Sequence, residues 1–190
     1  MNRICVFAGS NPGNRDTYSE AARALGTEIA RRGHAMVYGG ASRGLMGVCA
    51  DAALAGGAEV VGVLPRALTN REIAHQGLTE LRIVGSLHER KAVMSALSDA
   101  VVALPGGCGT LDELFEAITW SQLGLHEKPI GLFDVDGYYA PLLGVLEQMT
   151  SEGFVHPRLQ LVRATTAGQL LDQLMSAPSA AHGMGPAPRP

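Results

Sequence analysis

Cysteine is scarce in this chain. Its 190 residues contain three cysteines, Cys5, Cys49 and Cys108, which is an odd number without the spacing of a metal site. No disulfide is needed, because a chain of this length buries roughly 70% of its unfolded surface and builds its own core. The first residues run directly into an apolar segment and not into a signal peptide. We therefore expect a cytoplasmic protein without a metal site.

Long apolar runs and basic clusters are also missing. Every hydrophobic run is broken by glycine, proline or a charged residue well before the roughly 20 residues that span a bilayer. The formal net charge is -3, and the longest basic runs are the pairs Arg31-Arg32 and Arg90-Lys91. The sequence therefore predicts neither a membrane nor a nucleic-acid partner. A hydrophobic content of 46% is more than a lone small domain requires, which favours self-association.

Short apolar runs alternate with segments of helical spacing along most of the chain. Unalternating apolar runs predict strands that helices cover on both faces, and the alternation predicts parallel crossover connections. We expect an α/β, Rossmann-like three-layer fold with a mainly parallel central sheet. The predicted strands are residues 4–8, 35–38, 60–64, 81–84, 100–104 and 129–133, and the predicted helices are 18–32, 45–56, 87–97, 111–123, 139–151 and 167–175. Residues 1–176 would form one domain, and residues 177–190, rich in alanine, glycine and proline, a disordered tail.

Three glycine-bearing loops follow predicted strands, at residues 9–13, 39–44 and 105–109. The carboxyl ends of parallel strands share one edge of the sheet, so these loops should converge there, with Ser10 and Gly40 among the ligand-binding residues. The G-x-G-x-x-G pattern of dinucleotide sites and the G-x-x-x-x-G-K-[ST] pattern of P-loops are both absent. These loops therefore predict a site for a mononucleotide rather than for a dinucleotide or a nucleoside triphosphate of the P-loop type.

The segment from Pro105 to Glu113, P-G-G-C-G-T-L-D-E, leads from a buried strand through a glycine turn into a helix. Such a turn presents backbone N–H groups to a phosphate. Thr110-x-x-Glu113 could instead be a capping box, but the glycines exceed what a cap needs and Asp112 already complements the helix dipole. We favour a phosphate site with Glu113 beside the attached sugar. Its binding residues would be Gly107, Cys108, Gly109, Thr110, Leu111 and Asp112.

A second capping box, Ser86-x-x-Glu89, opens the helix that carries Arg90. Arg90 lies on the apolar stripe of that helix, so its guanidinium should point inward and needs an anion. The partner could be a structural one, Glu72 or Glu113, or the substrate, which we favour. Cys108 lies near a helix N-terminus, where a thiolate is favoured, but the sequence suggests no histidine partner for a nucleophile.

Several motifs together resemble the Lonely Guy family of cytokinin riboside 5'-monophosphate phosphoribohydrolases, many of them once labelled lysine decarboxylases. The likeness covers residues 3 to about 155, and Cys108 stands where relatives often have tyrosine. The motifs are G-x-x-x-G-L-M-G at 40–47, H-E-R-K-x-x-M at 88–94, P-G-G-x-G-T-x-x-E at 105–113, I-T-W at 118–120 and D-G-Y-Y at 136–139.

The resemblance implies hydrolysis of the N-glycosidic bond of an N6-substituted adenosine monophosphate, giving the free base and ribose 5-phosphate without a cofactor. It makes Arg90 and Glu113 the catalytic residues. Glu72, Lys91 and Thr119 would join the glycine loop in binding the substrate. The resemblance also implies a homodimer, or a larger homo-oligomer, with the sites near the subunit contact.

Two other functions compete with this one. A pyridoxal-phosphate decarboxylase needs a Schiff-base lysine, and the chain has only Lys91 and Lys128, with no accompanying cofactor pattern. A non-catalytic nucleotide or molybdenum-cofactor carrier of the same fold would keep the glycine loops without needing both Arg90 and Glu113. The sequence leaves open the N6 group, plain AMP included, and the choice between hormone production and nucleotide salvage.

Overall fold

The computed structural model of the protein describes residues 2–69, 74–155 and 161–177. Seven parallel strands form one sheet in the order β4-β3-β2-β1-β5-β6-β7. The strands are β1 Arg3–Phe7, β2 Ala35–Tyr38, β3 Val60–Pro65, β4 Glu80–Val84, β5 Ala100–Ala103, β6 Ile130–Phe133 and β7 Leu161–Ala164. The helices are α1 Asp16–Arg31, α2 Gly44–Ala55, α3 Leu87–Ala96, α4 Cys108–Gln122, α5 Ala140–Ser151 and α6 Ala167–Ser176.

The central strands are buried on both faces, which explains their unalternating apolar sequences. All residues of β2, β3, β5 and β6 are buried, whereas the edge strands β4 and β7 are partly exposed. Cys5 of β1 pairs with Val37 on one side and Val101 on the other. Continuous burial of this kind is characteristic of parallel sheets covered by helices on both sides.

Two hydrophobic cores lie on opposite faces of the sheet. One contains the buried faces of α1, α2 and α6, and the other contains those of α3 and α4 together with residues of α5. Helices α1 and α2 approach each other closely at Gly26, where an added Cβ would lie 2.2 Å from the carbonyl oxygen of Cys49. The three-layer α/β fold predicted from the sequence is confirmed.

The strand order reverses between β1 and β5, because the chain builds outward from β1 to β4 and then returns to add β5 to β7 on the other side. Neighbouring loops diverge to opposite faces at such a point and leave a crevice at the carboxyl edge, where ligands of open α/β sheets bind. The loops after β1 and β5 flank that crevice.

The predicted secondary structure needs correction at three places. Strand β7, a four-residue edge strand whose apolar run is interrupted by Arg163, was not predicted. Helix α1 begins at Asp16, two residues before its predicted start, and helix α4 begins at Cys108, three residues before its predicted start at Leu111. Of the predicted tail, only Ala177 is described, and residues 178–190 lie outside the described part of the chain.

Within the described ranges no helix is long and apolar enough to cross a membrane, and no group of three or more metal-ligating side chains could hold an ion.

Candidate active site

The three glycine loops meet at the carboxyl edge of the sheet. The N–H of Gly9 donates to the carbonyl of Pro105 at 3.0 Å, which joins the loops after β1 and β5. A Cβ on Gly9 would lie 3.3 Å from Cα of Gly106, and one on Gly44 would lie 2.3 Å from the carbonyl carbon of Ser10. Glycine at these positions therefore allows three backbone segments to touch.

A cavity of about 290 Å³ opens between these loops. Its wall contains residues 9–13, Leu45, residues 105–107 and two tyrosines, Tyr18 and Tyr138. Ser10, predicted to bind the ligand, is exposed in this wall, and so is Gly107. The cavity is large enough for part of a nucleotide and lies at the start of α4.

Helix α4 starts at Cys108, with Gly107 as its N-cap residue. The first intrahelical bond reaches Leu111, whose N–H donates to the carbonyl of Gly107 at 3.1 Å. The N–H groups of the residues between have no acceptor within the helix, and Gly107 has no side chain to cap them. Thr110 is thus the third residue of the helix and not its cap, so the capping-box alternative for Thr110 and Glu113 is wrong.

The first turn of α2 lies at the same edge of the sheet, but its N–H groups donate to the protein backbone. The N–H of Leu45 donates to the carbonyl of Gly9 at 3.0 Å. This bond holds the β1 loop in place and occupies a donor that an anion would otherwise take. The start of α4 is the better anion site, because the N–H groups of its first three residues donate to no carbonyl in the described part of the chain and its partial positive charge is left for a ligand.

Arg90 points inward, as the apolar stripe of α3 predicts, and meets Glu113 of α4. Its Nη2 donates to Oε1 of Glu113 at 2.6 Å, and the two side chains are only 13% and 9% exposed. Nη1 lies beside the end of β2, because a Cβ built on Gly39 would be 3.6 Å from it. Among the described residues the partner is therefore Glu113, one of the two structural partners named above. The pair joins α3 to α4 and lies beside the end of β2.

Two features of this pair bear on chemistry. Burial raises the pKa of Glu113, and the charge and hydrogen bond of Arg90 oppose that shift. Nε of Arg90 is buried without a hydrogen-bond partner among the described residues. A buried guanidinium donor without an acceptor is costly, so this N–H is available to a ligand. Neither residue lines the 290 Å³ cavity; Glu113 borders a smaller one with Cys5, Phe7 and Lys91.

Lys91 faces α4 and is held by two carboxylates. Its Nζ lies 3.0 Å from Oδ2 of Asp112 and 3.1 Å from Oε1 of Glu116. Burial opposes the charged form, but these hydrogen bonds prevail and raise the pKa of Lys91. Lys128, the other lysine of the chain, donates to the carbonyl of Ser95. Both lysines are therefore engaged with protein groups, which disfavours a Schiff-base role.

Other predicted site residues are less central. The carbonyl of Gly40 accepts from the N–H of His75 at 3.1 Å, and its φ of +77° suits glycine. Thr119 is exposed, and its hydroxyl donates to the carbonyl of Phe115 at 2.7 Å. It lies about 14 Å along the helix axis from Thr110. Within this one chain, Thr119 is therefore apart from the glycine loop. Glu72 lies outside the described residues.

The remaining residues of the predicted loop lie together at the start of α4. Cys108, Gly109 and Asp112 are exposed, Leu111 is half-buried and Thr110 is buried. Sequence reasoning gave no role to Tyr18 and Tyr138, which form part of the cavity wall. The sequence signal for Tyr138 is the D-G-Y-Y motif, which by itself indicates only the family resemblance. Tyr18 falls on the buried face of a helix and carried no separate signal.

The fold and its glycine-lined edge define a Rossmann-like α/β protein. Residues 46–174 match the family model described as "Possible lysine decarboxylase". A "Probable cytokinin riboside 5'-monophosphate phosphoribohydrolase" of Oryza sativa subsp. japonica is 52% identical over 176 residues, which are 92% of this chain and 79% of that protein. A cytokinin riboside 5'-monophosphate phosphoribohydrolase of Arabidopsis thaliana is 48% identical and aligns over 92% of this chain and 83% of its own length. The chain belongs to this family, the Lonely Guy phosphoribohydrolases.

Solved structures agree on the fold. The molybdenum cofactor binding protein of Rippkaea orientalis superimposes with a TM-score of 0.70 at 22% sequence identity, covering 93% of this chain and 96% of that one. At such identity the likeness concerns the architecture alone.

Proposed function

We propose that this protein hydrolyses the N-glycosidic bond of cytokinin riboside 5'-monophosphates and releases the free base and ribose 5-phosphate. The observation that carries the proposal is the buried Arg90–Glu113 pair, one turn beyond the uncapped start of α4. The family relationship supports the substrate class, because relatives about half identical carry that activity in their names.

The start of α4 is suited to the 5'-phosphate. Backbone N–H groups of Cys108, Gly109 and Thr110 would donate to its oxygens, and each charge-assisted hydrogen bond contributes about 1.5 to 3 kcal/mol. The space beside Gly107 and Gly109 is open to a ligand, because an added Cβ at either position would meet none of the described residues within 4 Å. A phosphate anchored there would bring the attached ribose toward Glu113, which lies one helical turn beyond Thr110.

The reaction breaks the bond between C1' of the ribose and N9 of the base. The electron pair leaves with the base, which takes up a proton, and a water oxygen bonds to C1' after giving up a proton. The transition state resembles an oxocarbenium ion, which a nearby carboxylate stabilises. We assign Glu113 to that role or to orienting the water. Arg90 supplies the countercharge for the buried carboxylate, and its free Nε–H would bind substrate.

Base release tests this function directly. Wild-type protein and Glu113→Gln are incubated with AMP and with isopentenyladenosine monophosphate, and the products are separated by chromatography. Release should be abolished or strongly reduced by Glu113→Gln. Glu116→Gln is the matched control, since Glu116 lies on the same helix but pairs with Lys91. Unchanged release by Glu113→Gln would remove Glu113 from the mechanism.

The rival function is a non-catalytic nucleotide or molybdenum-cofactor carrier. It would use the same loops, but it gives no reason to bury an arginine–glutamate pair beside them. A single-turnover experiment with enzyme in excess separates the two, because a carrier binds the nucleotide and returns it intact. Equal rates on the nucleotide and its nucleoside would argue against the phosphate site.

We also propose that the enzyme acts in the cytoplasm as a homodimer. Its apolar composition and the exposed Leu123 and Leu125 at the end of α4, 68% and 69% exposed, support self-association. Light scattering at several protein concentrations tests the oligomeric state.

A further inference from the structure

Tyr138 connects the last loop of the cavity to the glycine turn. Its hydroxyl donates to the carbonyl of Gly106 at 2.5 Å. Its ring lies edge-to-face against Tyr18, with centroids 5.8 Å apart, and against Tyr139, with centroids 5.1 Å apart. Both the hydroxyl and the ring of Tyr138 are therefore held in place, and the reaction described above gives this residue no role.

The loop that carries Tyr138 is anchored on both sides. Oδ1 of the fully buried Asp134 accepts from the N–H of Tyr139 at 2.7 Å. The hydroxyl of Tyr139 donates to the carbonyl of Leu104 at 2.6 Å. Asp136, in the left-handed region at φ 52°, accepts from Thr17 of α1 at 2.9 Å. These bonds fix the distance between the loop and the β5 turn.

The hydrogen bond from the Tyr138 hydroxyl is made to the peptide group between Gly106 and Gly107. The carbonyl of Gly106 and the N–H of Gly107 belong to one planar trans peptide, so they point in opposite directions. Glycine on both sides lets this peptide rotate at little steric cost. A hydrogen bond to the carbonyl consequently sets the direction of the Gly107 N–H. This N–H has no acceptor among the described residues and adds a fourth donor to those of Cys108, Gly109 and Thr110 at the start of α4.

We propose that Tyr138 is a positioning residue for the substrate 5'-phosphate, and that its hydroxyl locks the Gly106–Gly107 peptide in the orientation that completes the phosphate site. The inference rests on the proposed function. Tyr138 acts through the backbone of the glycine turn and not on the reacting bond, so its loss should change the recognition of phosphate more than the chemical step.

The test uses Tyr138→Phe, which keeps the ring and removes only the hydroxyl. Tyr138 is 37% exposed, so this change leaves the core intact. Tyr139→Phe is the matched control, because it removes a hydroxyl bond to a carbonyl outside the glycine turn. Steady-state rates are measured with isopentenyladenosine monophosphate and with the nucleoside that lacks the phosphate.

For Tyr138→Phe, KM for the nucleotide should rise about tenfold, the effect of weakening one charge-assisted hydrogen bond. The value of kcat should change by less than about twofold, and the preference for nucleotide over nucleoside should fall by the same tenfold. Tyr139→Phe should lower the melting temperature and leave that preference unchanged. The proposal is overturned if Tyr138→Phe keeps the wild-type preference or if both variants lose it equally.

A binding measurement separates this inference from the proposed function. Titration calorimetry with ribose 5-phosphate should give an affinity about tenfold weaker for Tyr138→Phe than for wild type and Tyr139→Phe. If wild type binds ribose 5-phosphate but releases no base, the proposed function fails and the comparison still decides the role of Tyr138. Equal affinities, or no binding by wild type, overturn the inference.

Discussion

Arg90 of α3 and Glu113 of α4 are joined by a 2.6 Å hydrogen bond between Nη2 and Oε1, and both side chains are mostly removed from water. The bond links two helices on the same face of the sheet, 23 residues apart in sequence. Burial raises the pKa of Glu113, and the ion pair with Arg90 lowers it. Burial has the larger effect, so the pKa of this carboxyl lies above its usual value of 4.5.

The raised pKa of Glu113 predicts how stability depends on pH. A carboxyl with a raised folded pKa binds its proton more tightly in the folded state. Its contribution to stability is present below the unfolded value and is lost as pH rises through the folded pKa. The free energy of unfolding of wild type relative to Glu113→Gln should therefore fall as pH increases from about 4.

Urea unfolding of both proteins at a series of pH values checks this prediction. Glu116→Gln, one turn further along α4, reports the general effect of removing a carboxylate from that helix. A relative stability of wild type that increases with pH would mean that Arg90 outweighs burial, and that the folded pKa of Glu113 lies below 4.5.

Local sequence was sufficient to predict the strand, the turn and the loops that surround the site. The apolar run before Pro105 predicted β5, the glycines predicted the turn, and the shared carboxyl edge of parallel strands predicted that the loops converge. The inward direction of Arg90 followed from its place on an apolar stripe. Helical periodicity reports which side of a helix is buried, so these features could be predicted without knowing how the elements pack.

The contacts between elements could not be predicted in that way. Periodicity did not choose between Glu72 and Glu113 as the partner of Arg90, and it gave no sign that Lys91 would be held by Glu116. The hydrogen bond from Tyr138 to Gly106 joins residues 32 positions apart. Such contacts depend on the relative height and rotation of packed elements, which a single sequence does not reveal. Strand β7 was missed because it is short and contains Arg163.

We predict that adding one methyl group at Gly26, inside α1, lowers the free energy of unfolding considerably. A Cβ there would lie 2.2 Å from the carbonyl oxygen of Cys49 and 2.9 Å from Cβ of Ala52, so α1 and α2 would have to separate. Gly26→Ala should cost about 1 to 3 kcal/mol despite the better helix propensity of alanine. Gly144→Ala in α5 is the control, because its Cβ would meet no atom of the described residues within 4 Å.

Thermal unfolding monitored by circular dichroism separates these two effects. Gly144→Ala should raise the free energy of unfolding by about 0.5 to 1 kcal/mol, since only propensity changes there. Equal stabilisation by both substitutions would show that α1 and α2 can move apart at little cost. That result would contradict the close helix contact.

The ion pair between Asp134 and Arg163 has one buried and one half-exposed partner. We therefore predict that replacing one partner changes the free energy of unfolding more than replacing the other. Asp134 is fully buried, and its Oδ2 accepts from Nε of Arg163 at 2.7 Å and from Nη2 at 2.6 Å. Arg163 is 50% exposed, so its charge can reach water when the partner is lost. The fully buried carboxylate has no such access, and among the described residues only the N–H of Tyr139 would remain as its hydrogen-bond donor.

Arg163→Met should therefore destabilise the protein more than Asp134→Asn. Removing one partner of a fully buried pair costs about 3 to 5 kcal/mol, and we expect about 1 to 3 kcal/mol here because Arg163 is half-exposed. Asparagine keeps an acceptor for the N–H of Tyr139 and leaves no uncompensated buried charge, so its cost should be smaller. Urea unfolding at neutral pH gives both values. A larger loss for Asp134→Asn would mean that the carboxylate stabilises the 134–139 loop mainly through Tyr139, and that its charge is tolerated without Arg163.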